Sequence, residues 1–402
     1  MTGCVDDEAE RQFANDPRQS AALPTTIPTW PVPSPPAASP AASPVSAEQL
    51  LRTRGAAGRF YFLGAGNVWT LAPNDGGLGS VFEPPAEASI RAIASSPSGD
   101  RVAVIVVRPV DGAETADLLV LTLSGEELHR FEGIGGLAPG SNAEVVSLDW
   151  SPQGDNLLVA LSPGGLVAVS LAEDAEPELI VAGGVAARPE QAAWSPTGEE
   201  VGFLAETGDD RTSIYVAAVA TPTDPAPLFP DDVAMHTIFD WAWLPDGRAL
   251  IFSEERGLTA TADLWRINSD GSDRELVASA GSVAPVARIV GATPSRDGRS
   301  VAYRVVIPGD AGEAFDSLWV RDLLTNRGFE LEVPAGQSVT DVWWTDAGLM
   351  FRVVPSAGYT GEYVDGPFAI YQVSDGTTAT VIHQDGMSPS ATPAATPLDP
   401  RL

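Results

Sequence analysis

Three aspartates stand where chemistry could be done. Asp240 and Asp341 each lie three residues ahead of a tryptophan, Trp243 and Trp344, and Asp149 lies directly ahead of Trp150. Carboxylates gathered around one axis can hold a Ca²⁺ ion or polarise a water. They also have a plainer use, accepting backbone N–H bonds and so fixing the strand beside them. Ala92, Ser147, Gln191 and Gly291 occupy the equivalent place in other repeats, so repetition alone makes no acidic ring. Trp241 and Trp343 lie one or two residues off the repeated tryptophan position. They are candidates for a rim or channel surface that binds a partner.

The rest of the chemical inventory is thin. His129, His236 and His383 are far apart and share no repeat position, so a histidine metal site or a Ser/His/Asp relay has no sequence support. All 23 basic residues are arginine, and there is no glycine-rich phosphate loop ending in lysine. The doublets Asp209-Asp210, Asp231-Asp232 and Glu254-Glu255 read as solvated loop faces. Asn268-x-Asp270-Gly271-x-Asp273 lacks the distal glutamate of a Ca²⁺ loop and reads as a turn. The expectation is therefore no catalytic residue and no metal site, with Ca²⁺ the one cofactor left open.

What must position these residues is a repeat. Turns recur at Ser96-Pro97-Ser98-Gly99, Ser151-Pro152-Gln153-Gly154, Ser195-Pro196-Thr197-Gly198, Leu244-Pro245-Asp246-Gly247, Ser295-Arg296-Asp297-Gly298 and Thr345-Asp346-Ala347-Gly348. A degenerate copy, Ala56-Ala57-Gly58, precedes Arg59. Proline presets φ and glycine supplies a positive φ, the chemistry of a hairpin turn. Before most turns a strand ends in an aromatic residue (Trp150, Trp194, Trp243, Trp344). After them comes an apolar strand such as Val102–Ile105 or Leu250–Phe252, and then a third containing Trp69, Tyr215, Trp265, Trp319 or Tyr371. Polar turns such as Asn268–Gly271 and Ser374-Asp375-Gly376 lead to a short fourth strand. Four-stranded sheets apolar on both faces are stable only when stacked around an axis. The prediction is an all-β chain, a β-propeller of seven four-stranded blades over residues 47–385, with six or eight blades as alternatives. The tryptophans at repeat positions (Trp69, Trp150, Trp194, Trp243, Trp265, Trp319, Trp344) are expected between blades.

These units resemble the TolB-type propeller repeat, Asp-x-x-x-x-Trp-Ser-Pro-Asp-Gly followed by a strand and then an Ile-Tyr strand. Arg296 stands where proline is usual, and the unit near Ala47 is degenerate. The resemblance implies a scaffold or envelope lipoprotein, or the propeller of a larger peptidase. No Gly-x-Ser-x-Gly elbow is present for the hydrolase domain of the last group.

Composition sets the partners. The formal net charge is −31, which repels nucleic acid and anionic lipid. Residues 1–46 hold an acidic patch and a Pro/Ala/Ser/Thr tract, and residues 386–402 repeat that bias; both are expected to be disordered. Met1-Thr2-Gly3-Cys4 reads like the end of a bacterial lipobox, with the signal sequence ahead of it missing. Cys4, the sole cysteine, is then the lipidation site and residues 5–46 a stalk. The sequence thus predicts a monomeric, extracytoplasmic lipoprotein held to the membrane only through its lipid, its propeller face binding a protein or cell-wall polymer. A propeller enzyme (lyase, lactonase or hydrolase) with a channel-bound cation is the alternative.

Overall fold

In the structure, a computed structural model, the described residues are 60–385 except 65, 73–76, 112, 138–142, 183–188, 209–210, 221–224, 230–235, 257–260, 309–313, 346–347, 357–367 and 374–378. The expectations for Cys4, both tails, the Ala56–Gly58 turn, Asp209-Asp210, Asp231-Asp232 and Ser374–Gly376 lie outside them.

The repeated turns close as their residue types require. The glycine N–H donates to the carbonyl of the first turn residue at Gly99, Gly154, Gly198, Gly247 and Gly298, at 2.8–2.9 Å, and all five have φ between +67° and +77°. Serine opens the turn for a physical reason. The hydroxyls of Ser96, Ser151, Ser195 and Ser295 accept the N–H of the residue five further on, which locks the start of the following strand.

The strands run in chain order. The first sheet has three: β1 (Phe60–Gly64), β2 (Asn67–Leu71) and β3 (Leu78–Phe82). The second comprises β4 (Ser89–Ser95), β5 (Arg101–Val110), β6 (Ala113–Thr122) and β7 (Glu127–Phe131). The third has β8 (Glu144–Trp150), β9 (Asn156–Ser162), β10 (Gly165–Ser170) and β11 (Glu178–Ala182). The fourth has β12 (Pro189–Trp194), β13 (Glu200–Gly208), β14 (Arg211–Ala218) and β15 (Ala226–Pro227). Next come β16 (His236–Trp243), β17 (Ala249–Arg256), β18 (Ala262–Asn268) and β19 (Glu275–Ala278), then β20 (Arg288–Pro294), β21 (Ser300–Pro308), β22 (Ala314–Asp322) and β23 (Gly328–Leu331). A single parallel bridge, Ala262 to Arg288, joins these two groups into one eight-stranded sheet. The last sheet is β24 (Gln337–Thr345), β25 (Gly348–Pro355), β26 (Phe368–Val373) and β27 (Ala379–Asp385).

Both faces of these sheets are buried, and the core lies in the seams between consecutive ones. Tyr61 and Val68 pack on Val104 and Leu119; Ile105 and Leu118 on Trp150 and Val159; Ala160 and Ile180 on Trp194 and Phe203; Leu204 and Ile214 on Trp243 and Phe252. Ile251 and Leu264 meet Ile289 and Tyr303, and Leu318 and Val320 meet Trp344 and Phe351. Finally Met350 and Phe368 of the last sheet pack on Phe62 and Leu71 of the first. Sheets stacked in chain order, the last upon the first, make an all-β propeller. Hydrogen bonding does not divide it into the seven separate four-stranded sheets expected. Among the described residues there are five sheets of four or more strands and one of three, because the Ala262–Arg288 bridge fuses two repeats and the degenerate first repeat supplies three strands.

The turns themselves stack around one end. A Cβ on Gly247 would meet Thr197 Cγ2 at 2.9 Å and one on Gly198 would meet the Gln153 amide at 3.1 Å, each in the preceding turn. Gly66 has a similar φ, +74°, but no atom of the described residues within 4 Å of a Cβ. Gly66→Ala should therefore cost only the conformational strain of about 1–2 kcal/mol, and Gly247→Ala about 1 kcal/mol more from crowding. Urea midpoints of the two variants measure the difference, and equal values would refute the stacking argument.

Candidate functional site: the connection end

In an up-and-down sheet the two ends differ. One carries the repeated hairpins. The other carries the links between second and third strands and the crossovers from each fourth strand to the next inner strand. Those links vary most, and binding residues gather on such segments.

The inner strands are re-aimed as they leave this end. β4, β8, β12, β16, β20 and β24 each lose register once against their second strand. The breaks lie between Ile90 and Ala92, Val145 and Ser147, Glu190 and Ala193, Ile238 and Asp240, Val290 and Thr293, and Val339 and Asp341. A bulge at one equivalent place in six strands turns extra side chains out of the ladder. Arg91, Val146, Gln191, Phe239, Gly291 and Thr340 fall in the breaks. Gln191 and Gly291 have φ of +45° and +66°.

The sequence-predicted site residues are found in the seams beside these bulges. Asp240 Oδ2 accepts the N–H of Ala292 in the next inner strand at 3.0 Å. Ser147, its counterpart in the third sheet, accepts the N–H of Ala192 at 2.9 Å. Asp149 accepts the N–H of Trp194 at 2.8 Å. Asp341 pairs instead with Arg352, whose Nη2 and Nε lie 2.6 and 2.7 Å from its carboxylate. The three acids thus hold neighbouring strands, and among the described residues no three His, Cys, Asp or Glu side chains gather to hold a metal. Trp241 is 6 % exposed; its Nε1 donates to Gln191 O at 3.1 Å and its ring packs edge-on against Trp243. Trp343 is half-buried and tilted against Phe60 and Phe62, 5.7 and 6.0 Å away, in the seam between last and first sheets. The repeat tryptophans staple the ring. Trp150, Trp243 and Trp344 donate to Ala94, Ala193 and Thr293, one repeat back, at 2.8, 3.5 and 2.8 Å.

Several residues escaped the sequence reading. Arg91 bridges Glu144 and Glu114. Asp117, 2 % exposed, takes Arg108 at 3.0 Å, Arg130 at 3.6 Å and the N–H of Gly133 at 3.0 Å. Asp263 likewise accepts the N–H of Ala280 at 2.8 Å. Arg288 pairs with Glu255 at 3.3 Å and lies 4.9 Å over the Phe239 ring. The repeated Asp-Leu pairs, Asp117-Leu118 and Asp263-Leu264 at the same place in the third strand, were the available signal.

Burial pushes the Asp149 carboxyl up to about 6, against its two backbone hydrogen bonds from Trp194 and Trp150, and raises Asp240 as well. The folded protein then holds the Asp149 proton more tightly than the unfolded chain does. Its contribution to stability is present below about pH 4 and is lost as pH rises to about 6. Asp149→Asn removes this titration, so its stability relative to wild type should rise across that window by about 1–2 kcal/mol. That figure is discounted from the roughly 3 that two units carry, because the residue is only half-buried. Urea denaturation at low and neutral pH provides the comparison, and a pH-independent difference would rule out the linkage.

No protein-family model matches the chain, and no curated protein matches it. Solved structures do. A prolyl endopeptidase matches with a TM-score of 0.59 and 14% identity over 84% of this chain, which spans half the length of that enzyme. Oligogalacturonate lyase from Vibrio parahaemolyticus matches with a TM-score of 0.54 and 12% identity, over 84% of this chain and 88% of that one. TolB from Agrobacterium tumefaciens, itself described as putative, is similar over 61% of this chain and 82% of that one, at 17% identity and a TM-score of 0.45. The first two likenesses define the fold class, a β-propeller; the third is too low to carry an argument. No helix among the described residues is long and apolar enough to cross a membrane.

Proposed function

We propose that the chain is a seven-bladed, TolB-like propeller acting outside the cytoplasm as a monomeric binding scaffold. It is tethered through lipidated Cys4, and its connection end receives a protein or cell-wall polymer. Seven seam clusters support the blade count, six joining consecutive repeats and one joining last to first. The eight-stranded sheet then counts as two blades.

One observation carries the binding role. The connection end exposes Val110, Leu137, Val146, Val283 and Val286; the other exposed large apolar side chains among the described residues are Leu123 and Leu324 in the hairpins of the other end, and Leu128, Leu179, Leu276 and Val381, one on each of four outer strands. Exposed apolar side chains beside bulged strands, charged groups and crossovers suit a partner surface. Photo-crosslinking groups at positions 137 and 283 should capture an envelope component, whereas groups at 153 and 246 in the stacked turns should not. Capture from neither pair, or equally from both, would end this reading. Lipid-precursor labelling that disappears in Cys4→Ala supports the tether, and labelling that persists removes it.

The likeness to oligogalacturonate lyase, one such lyase having been solved in complex with manganese, favours a second reading: an enzyme with a channel-bound cation. It requires a stoichiometric divalent ion in the purified protein and turnover of a polymer.

A further inference from the structure

The seam between the second and third sheets opens at the connection end into a pocket of about 180 Å³. Val107, Ala116 and Val145 give it an apolar lining, buried or nearly so. Arg91, Glu114 and Glu144, all exposed, form its mouth. The guanidinium is committed to Glu144 and lies 3.4 Å from Glu114. An ionised carboxylate offers about four acceptor sites, so Glu114, with 72% of its side chain exposed, retains acceptor capacity that Arg91 does not use. Two carboxylates against one guanidinium leave the mouth negative, within a chain of net charge −31.

A second observation is a glycine with no local reason to be one. Gly133 turns at φ +61°, and a Cβ on Gly135 would come within 2.4 Å of Ala143 O, so both positions demand glycine. Gly136, in the same short 3₁₀ turn (Ile134–Leu137), has no positive φ, and a Cβ there would meet no atom of the described residues within 4 Å. Glycine costs backbone entropy relative to any other residue. Gly136 is exposed and lines the pocket, with open space where a side chain would stand.

We propose that this pocket takes a basic side chain of the bound partner, an arginine or lysine whose alkyl arm lies on the apolar lining and whose cation meets Glu114 and Glu144. The inference rests on the binding reading above and names the chemistry that site recognises. N-acetyl-arginine amide and N-acetyl-lysine amide are the probes, with N-acetyl-glutamate amide as control, followed by calorimetry or ligand-observed NMR on the full chain. At least one basic probe should bind saturably and weakly. Gly136→Leu, which puts a bulky side chain on the pocket lining, should weaken binding about tenfold or more, as should Glu114→Gln combined with Glu144→Gln. Gly136→Ser serves if the leucine variant does not fold. The proposal falls if neither basic probe binds, if the Gly136→Leu variant binds equally, or if the glutamate probe binds as well as the basic ones. Crosslinking at position 137 without probe binding overturns this inference alone, whereas probe binding without crosslinking overturns the scaffold reading alone.

Discussion

Arg352→Leu should destabilise the protein by about 3–5 kcal/mol, the loss typical when one partner of a buried ion pair is removed. Arg352 is 3 % exposed and does four things at once. It binds the Asp341 carboxylate through two nitrogens, donates to Thr340 Oγ1 at 2.9 Å, donates to Leu63 O in the first sheet, and lies 4.8 Å over the Phe62 ring. Leu63 and Arg352 are 289 residues apart, so this one side chain fastens the end of the ring to its beginning. Its removal leaves the Asp341 carboxylate, only 23% exposed, and the buried Leu63 carbonyl without this partner. Arg352→Leu/Asp341→Leu should recover much of the loss, since an apolar pair of similar volume can replace a buried ion pair at little cost. Urea denaturation of both single variants and the double one reads the coupling. If the double variant is as unstable as the sum of the singles, Asp341 is not the partner that matters.

This clasp also marks where sequence reading ends. The hairpins were legible because their chemistry is local: Ser96 and Gly99 each bond an atom within five residues, and Pro97 presets φ between them. Repetition then made the seams legible, since a tryptophan recurring near the end of four inner strands must meet a neighbour, and Trp150, Trp243 and Trp344 reach back one repeat. The bulges left no such mark. Gly291 is suggestive, but Gln191 at φ +45° is not a residue one would assign there, because the bulge is imposed by the next inner strand rather than by local propensity. Arg352 was invisible for the same reason, its partner lying at the other end of the chain. The candidate aspartates were visible as equivalent positions. What faces each of them, a backbone N–H at Asp149 and Asp240 and the Arg352 guanidinium at Asp341, is a property of the neighbouring strands.

The same distinction can be tested at Trp241, read from sequence as a surface candidate and found between sheets. Gly202 lies in β13 with no positive φ, so its glycine answers to space alone. A Cβ there would come within 2.4 Å of Trp241 Cη2, 2.9 Å of Cζ3 and 3.2 Å of Cζ2. An indole held by Trp243 on one side and by a hydrogen bond to Gln191 O on the other has nowhere to go. Gly202→Ala should therefore cost about 1–3 kcal/mol or somewhat more, the range for overpacking a tight core. Trp241→Phe alone should also destabilise, because it empties part of the seam and drops the Gln191 bond. Together the two should cost less than their sum by about 1 kcal/mol or more, since the alanine methyl then occupies the space the indole vacates. Thermal or urea unfolding of the cycle gives the coupling directly, with Trp344→Phe in a different seam as a second partner that should add independently. Strict additivity at Trp241 would mean that the ring does not rest on Gly202, and would return it to the surface role its sequence position suggested.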